Sequence, residues 1–379
     1  MLPEAIEATT AELGRVGNAS SLHTSGRQAR RVLEESREQI AEAIGADAAE
    51  VVLTSGGTEA DNLALQGAWL ARRGERNRVL ASAVEHPATL ETLAALGSRG
   101  AQALELRVDA EGVVDVGALA ESVDDSTAVV SVMWVNNETG AVQPVVRVAE
   151  VAEAAGAWSH SDAVQALGHL PVRFADSGLD MMSISAHKVG GPIGIGALVL
   201  KRGIGLSPVQ FGGGQERDLR SGTAAPALAA GFAAAVRVAT ERREAESGRL
   251  AALRRRLVAG LTGLELEVLV NGPEAGPAPG EGVSPAIVNA SFPGSGADDV
   301  LLLLDAAGID CSTGSACTAG VSQPSPVLQA MGRTEAQSRE SLRFSFGPTT
   351  TEADIDRLLG ALPEAIRRAR QAGSWNLTL

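Results

Sequence analysis

Tyrosine is absent from this 379-residue chain, and of its 32 basic residues only Lys188 and Lys201 are lysine. Without tyrosine there is no phenol to serve as acid, base or ring-stacking partner. The scarcity of lysine says more. Arginine substitutes for lysine in surface charge but keeps its proton near neutrality, whereas a lysine placed in a pocket can become a nucleophilic amine and form an imine. Cysteine is also sparse: Cys311 and Cys317 are the two present. They are too few for a disulfide framework or a four-thiolate zinc site, so no metal is expected and free thiols are. No basic stripe interrupts the mixture of acids and arginines, and the net charge is −14, which argues against nucleic acid as a partner. No apolar run approaches the roughly 20 residues a membrane-spanning helix requires, and the opening Met-Leu-Pro-Glu-Ala-Ile-Glu has neither the charged nor the apolar region of a signal peptide. The expectation is a cytoplasmic protein with no membrane partner.

What is present is a large apolar complement, 45% of the chain, enough to bury two domains or one large domain with an appendage. Residues 1–24 read as a polar loop. Helical spacing over 26–44 ends at Gly45. Strand-like and helical stretches then alternate: 51–54 with 59–73, 78–83 with 87–96, 103–108 with 116–123, and 128–135 with 144–155. This order predicts a largely parallel sheet flanked by helices. A long helix over 224–263 precedes a change of order, with strands near 264–270, 286–292 and 341–346 and helices over 297–307 and 352–370. The expected organisation is an N-terminal segment 1–20 packing toward the small domain, a large domain 21–245 and a smaller α+β domain 246–379.

Four groups of residues could carry chemistry. Lys188 follows the strand-like 181–185 and precedes Gly190-Gly191-Pro192, which lets the backbone turn sharply beside a ligand. Ser55-Gly56-Gly57-Thr58 stands between a strand and a helix, where backbone N–H groups and a hydroxyl cradle a phosphate; alone it is more often a glycine turn with a capping threonine. Glu85-His86-Pro87 follows another strand, and His86 could stack on a heteroaromatic ring, move protons or cap the helix. Asp162 with Gln165 lies at a strand end; a buried carboxylate there keeps a ring nitrogen protonated, though an aspartate also caps turns. Together, an imine-forming lysine, a phosphate turn, a stacking histidine and a carboxylate for a pyridinium nitrogen are what pyridoxal 5'-phosphate requires. Dinucleotide binding fits less well, since the first strand–helix turn lacks Gly-x-Gly-x-x-Gly.

With those residues in view, the chain resembles the cysteine desulfurases of the Nif/Isc type, in the class V branch of fold-type I pyridoxal-phosphate enzymes. The resemblance runs through Ser-Gly-Gly-Thr-Glu-Ala-Asp-Asn (55–62), Glu85-His86, Val-Asn-Asn-Glu-Thr-Gly (135–140), Asp-Ala-Val-Gln (162–165), Ser-Ala-His-Lys (185–188), Arg-Ser-Gly-Thr (220–223), Thr-Gly-Ser-Ala-Cys (313–317) and Leu-Arg-Phe-Ser-Phe-Gly (342–347). It implies that Lys188 holds the cofactor covalently, His86 stacks on its ring, Asp162 pairs with its nitrogen and Gln165 with its ring oxygen. Gly57, Thr58, Ser185 and His187 would bind the phosphate, joined by Thr223 from the other subunit of a homodimer. Asn137 and Arg343 would hold the substrate carboxylate, a bidentate arginine being apt for it. Cys317 would accept sulfur from L-cysteine as a persulfide, for an iron–sulfur scaffold or another acceptor protein. Cys311 is expected to be a small packing residue. The family's usual opening strand with an Asp-x-Ala-Ala-Thr-Thr-type segment has no counterpart ahead of Met1, which bears on closure over the substrate. Selenocysteine lyase, another class V lyase or aminotransferase, and a non-catalytic assembly scaffold are the alternatives; Cys317 speaks against transamination, which needs no thiol.

Overall fold

The computed structural model describes residues 1–314 and 323–376. Their contacts define two units: Met1–Arg107 with Val114–Val135 and Gln143–Arg243, and Val108–Val113 with Asn136–Val142 and the residues from Glu244 onward.

The first unit contains, in order, α1 (Pro3–Leu13), α2 (Thr24–Ile44), β1 (Val51–Thr54), α3 (Gly57–Arg72), β2 (Arg78–Ser82), α4 (Pro87–Ser98), β3 (Gln102–Leu106), α5 (Val116–Ser122), β4 (Thr127–Ser131), α6 (Val145–Ala154), β5 (Trp158–Asp162), α7 (Phe174–Ser177), β6 (Met181–Ser185) and β7 (Gly196–Leu200). Its seven strands lie in the order β1-β7-β6-β5-β4-β2-β3. The run β6-β5-β4-β2-β3 is parallel, and β7 is antiparallel to both its neighbours. β1, β4, β6 and β7 are buried at every position. That is the mark of a sheet covered on both faces, whose strands read as continuous apolar runs. The exceptions inform most: Ser131, Ser159, His160, Ser161, Asp162, Ser183 and Ser185 are polar yet buried. They cluster on β4, β5 and β6, where the register sets Ser131 beside His160 and Asp162 beside Ser183.

The first residues depart from expectation. Pro3–Leu13 is helix rather than loop, started by proline at its N-terminus. Within the first unit the Leu2 N–H donates to the Gly190 carbonyl at 2.7 Å, and Glu4 pairs with Arg242 at 2.6 Å. A side chain at Gly231 would collide with Thr9, so small residues let the two helices approach.

α8 (Pro226–Thr262) runs from the first unit into the second, which adds β8 (Leu269–Asn271), β9 (Ile287–Ser291), α9 (Ala297–Ala306), β10 (Ser312–Thr313), α10 (Pro326–Ala330), α11 (Glu335–Ser338), β11 (Ser341–Ser345) and α12 (Glu352–Asn376). The sheet is antiparallel in the order β10-β11-β9-β8. Leu250, Leu253, Leu257 and Leu261 form one stripe of α8 that meets Val288, Phe292, Leu342, Phe344 and the buried face of α12. Residues 136–142, expected in the large domain, belong here. The Val142 N–H donates to Gly282 O at 3.0 Å and the Ser284 N–H to Gly140 O at 2.8 Å. Backbone bonds to a remote loop decide this, and no local signal announces them. No helix among the described residues is long and apolar enough to cross a membrane.

Candidate active site

In the first unit the site grows from the ends of β1, β5 and β6. β1 leads through Ser55 and Gly56 into α3, whose first turn is pressed against the neighbouring strand ends. A Cβ at Gly57 would lie 2.9 Å from Val164 Cγ2 and 3.8 Å from Ser185 Cβ, so only glycine fits undisturbed. Thr58 is exposed at this helix N-terminus, whose free N–H groups favour an anion. Ser185 Oγ and His187 Nδ1 are 2.8 Å apart at the end of β6. Gly57 thus neighbours Ser185, which is bonded to His187, and Thr58 follows Gly57 in the first turn of α3.

Lys188 lies in a short 3₁₀ turn, Ala186–Val189, that ends at Gly190 with φ of 81°. Its charge reaches three of the expected residues. His86 is lowered by burial and then by Lys188, and His187 likewise. Asp162 is raised by burial to about 6, against the downward pull of the Val164 N–H and of Lys188. His86 is half-buried and also caps α4, its Nδ1 accepting from the Ala88 N–H at 3.1 Å. The cap places the ring proton on Nε2, so the helix-capping role and the site role coexist. Gln165 follows in the turn after β5, half-buried.

Three buried groups escaped sequence reasoning. Asp61 Oδ1 is 3.7 Å from His160 Nε2, and that nitrogen is 2.9 Å from Ser183 Oγ. Glu85 Oε1 accepts the Met133 N–H at 2.6 Å. Burial raises Asp61 and Glu85 well above the usual carboxylate range, and the nearby Asp162 charge raises both further. His160, buried, falls to about 3 and stays neutral. Asp61 could have been noticed: it shares the apolar face of α3 with Ala64, Leu65 and Ala68, where an acid is out of place.

Thr223 is exposed and lines, with Thr54, Ser55, Ile195 and Arg220, a small cavity of about 80 Å³. Its loop is tied to the phosphate turn, since Arg220 donates to Glu59 Oε1 at 2.8 Å and Glu59 Oε2 accepts the Ser55 N–H at 2.8 Å.

The second unit holds Asn137 and Arg343. Arg343 Nη1 donates to the Asn137 carbonyl at 2.8 Å. Arg343 Nε and Asn137 Oδ1 are buried without a hydrogen-bond partner, which suits a small polar ligand, and a carboxylate would satisfy the arginine donor. Cys311 packs against the apolar core of this unit, and burial with Asp310 and Asp305 pushes its thiol up to about 11. Cys317 lies outside the described residues.

These residues fit pyridoxal 5'-phosphate: Asp162 is a buried carboxylate suited to a cationic ring nitrogen, Lys188 is the amine beside it, and Gly57 leaves room for a phosphate at the head of α3. Fold and site define a fold-type I pyridoxal-phosphate enzyme. The aminotransferase class-V family model matches residues 1–358, and the chain belongs to that family. It is 49% identical to an IscS-like cysteine desulfurase of Mycobacterium tuberculosis, over 98% of this chain and 95% of that one. A cysteine desulfurase of Gluconacetobacter diazotrophicus is 41% identical over 94% and 88%. Among solved structures, a NifS-like protein superposes with a TM-score of 0.89 at 30% identity, covering 97% of this chain and 96% of the other.

Proposed function

We propose that the protein is a cysteine desulfurase that takes sulfur from L-cysteine, leaves L-alanine and passes the sulfur to Cys317. The observation that carries this is the gathering of His86, Asp162 and His187 around the Lys188 charge, in a chain close to named desulfurases. When bound, the cofactor supplies an electron sink for the substrate Cα. Lys188 would hold the cofactor through its aldehyde and move protons at the substrate; Asp162 would keep the ring nitrogen protonated. His86 would stack on the ring and offer Nε2–H for proton movement. Arg343 and Asn137 orient the carboxylate. The Cβ–S bond of L-cysteine breaks, the Cys317 thiolate takes the sulfur to form an S–S bond, and Cβ gains a proton to become the alanine methyl. A thiolate is needed, and Cys311, pushed up to about 11, cannot supply one near neutrality.

The finer parts of the reading are a cytoplasmic homodimer in which Thr223 completes the partner's phosphate site, and an acceptor protein that uses the persulfide for iron–sulfur or thio-cofactor synthesis. The test is visible absorption followed by assays of sulfide and alanine with L-cysteine. Lys188→Ala should lose the borohydride-trappable cofactor. Cys317→Ser should keep the cofactor and the absorbance change with L-cysteine but release almost no sulfide. Undiminished sulfide from Cys317→Ser, with loss in Cys311→Ser, would overturn the sulfur-acceptor assignment.

A further inference from the structure

We propose that Arg220 is a positioning residue for the cofactor phosphate that acts through Glu59: it offsets the charge of a carboxylate that shapes the phosphate turn, and so leaves the turn free to take an anion. The proposal rests on the reading of Ser55-Gly56-Gly57-Thr58 as that turn. Every residue involved lies in the first unit. Glu59 stands in the first turn of α3, directly after Thr58, and its Oε2 accepts the Ser55 N–H at 2.8 Å. This bond folds the turn back onto the helix, as carboxylates of a first helical turn commonly do. It also sets a negative charge at the helix end that would otherwise attract the phosphate. Two anions at one helix end oppose each other unless a cation answers the first.

Arg220 is that cation. Its Nε donates to Glu59 Oε1 at 2.8 Å and its Nη2 to Oε2 at 3.4 Å, and both side chains are only 20% exposed, so water screens the pair in part. Burial works to raise Glu59, but the bonds from Arg220 and Ser55 outweigh it and hold the carboxyl below its usual range. The arginine is fixed from several sides. The Glu216 N–H donates to the Arg220 carbonyl at 3.1 Å, the Gln210 amide donates to the Ser221 carbonyl at 2.7 Å, and Glu216 is itself held by Arg37 at 2.8 Å. Between Glu216 and Arg220 the chain passes Arg217 at φ 54° and Asp218 at φ 61°, a left-handed conformation that side chains adopt at a cost. A turn kept in that shape presents its arginine to Glu59 across 161 residues of sequence. If the pair serves to cancel charge, breaking it from its two ends gives opposite results; an ion pair that only braces the fold would lose alike from either end.

The full-length protein, freed of cofactor, is titrated with pyridoxal 5'-phosphate and with pyridoxal, which lacks the phosphate, and binding is followed by visible absorbance. Arg220→Ala leaves Glu59 unanswered and should weaken pyridoxal 5'-phosphate by about tenfold or more while moving pyridoxal by less than about twofold. Glu59→Gln keeps an oxygen for the Ser55 N–H and removes the charge, so it should bind pyridoxal 5'-phosphate at least as tightly as wild type. Glu59→Gln added to Arg220→Ala should recover most of the lost affinity. Arg220→Gln, which keeps a donor but not the charge, carries the same test should Arg220→Ala not fold. Wild-type affinity in Arg220→Ala, equal loss of both ligands, a loss in Glu59→Gln as large as in Arg220→Ala, or no recovery in the double variant would overturn the proposal. Thr58→Ala tests the reading beneath it. A loss confined to pyridoxal 5'-phosphate upholds the phosphate turn, so that a failed Arg220 series counts against the pair alone; equal or no loss of the two ligands removes the turn itself.

Discussion

Asp61, Glu85 and Asp162 show how burial and neighbouring charge shift three carboxyls of one cluster away from their ordinary values. Each is buried, and the Asp162 charge raises both of the others. Asp162, raised to about 6, is ionised at neutral pH, and burial raises Glu85 well above its ordinary 4.5. Glu85→Gln, which imitates a protonated carboxyl, should leave the visible spectrum unchanged. Its stability should also change with pH. The folded Glu85 binds a proton where the unfolded one has lost it, so its contribution to stability falls as pH rises above 4.5. The Gln variant lacks that loss, and denaturant unfolding at pH 5 and pH 8 should show it gaining on wild type at the higher pH. A relative loss at pH 8 would mean that folding lowers Glu85 instead of raising it. His160 acts in the opposite direction: with a folded value of about 3 against 6.5, it removes stability as pH falls below 6.5.

At the scale of elements, the phosphate turn depends on what holds β1 and α3 in place. Arg37 of α2 donates to the Val51 carbonyl at 2.7 Å and to Glu216 at 2.8 and 3.1 Å, and Glu216 accepts the Leu53 N–H at 3.0 Å. Both side chains are almost fully buried. Glu216→Ala strands the guanidinium and should cost about 3–5 kcal/mol, whereas Arg37→Leu with Glu216→Leu should recover much of it. Urea midpoints at unchanged m-value are the measurement. Gly57→Ala tests the next step. Its Cβ would meet Val164 at 2.9 Å, between Asp162 and Gln165. Overpacking there should cost about 1–3 kcal/mol, lowering cofactor affinity roughly tenfold or more in absorbance titrations of the apoprotein.

At the scale of the whole molecule, the proposed sharing of Thr223 between subunits has a consequence that no single chain can show. If Thr223 serves the partner's phosphate, a mixed dimer of Lys188→Ala and Thr223→Ala chains contains one site with every group intact, because the Lys188→Ala chain lends its Thr223 to the other. If Thr223 serves its own chain, both sites in that dimer are damaged. Co-expressed, differently tagged chains purified as the mixed dimer should show about half of wild-type sulfide release. Activity no higher than the Thr223→Ala homodimer would place the residue in its own site.

Much of this was legible in the chain. Parallel order followed from alternating β-branched and helical stretches, and the site's own residues stood at strand ends with glycine and proline beside them, because turn chemistry is local. The strand–turn–helix at Gly57 and the lysine among arginines needed no partner to be recognised. Residues whose roles depend on remote neighbours were not legible: Arg37 meets Glu216 across 179 residues, Asn137 meets Arg343 across 206, and residues 136–142 join the second unit through backbone bonds to 282–284. The sequence by itself determined most of the elements of the first unit and the family to which the chain belongs. Only the tertiary structure decided which acids are shifted and in which direction, because burial and proximity set those energies and both are properties of contacts, not of order along the chain.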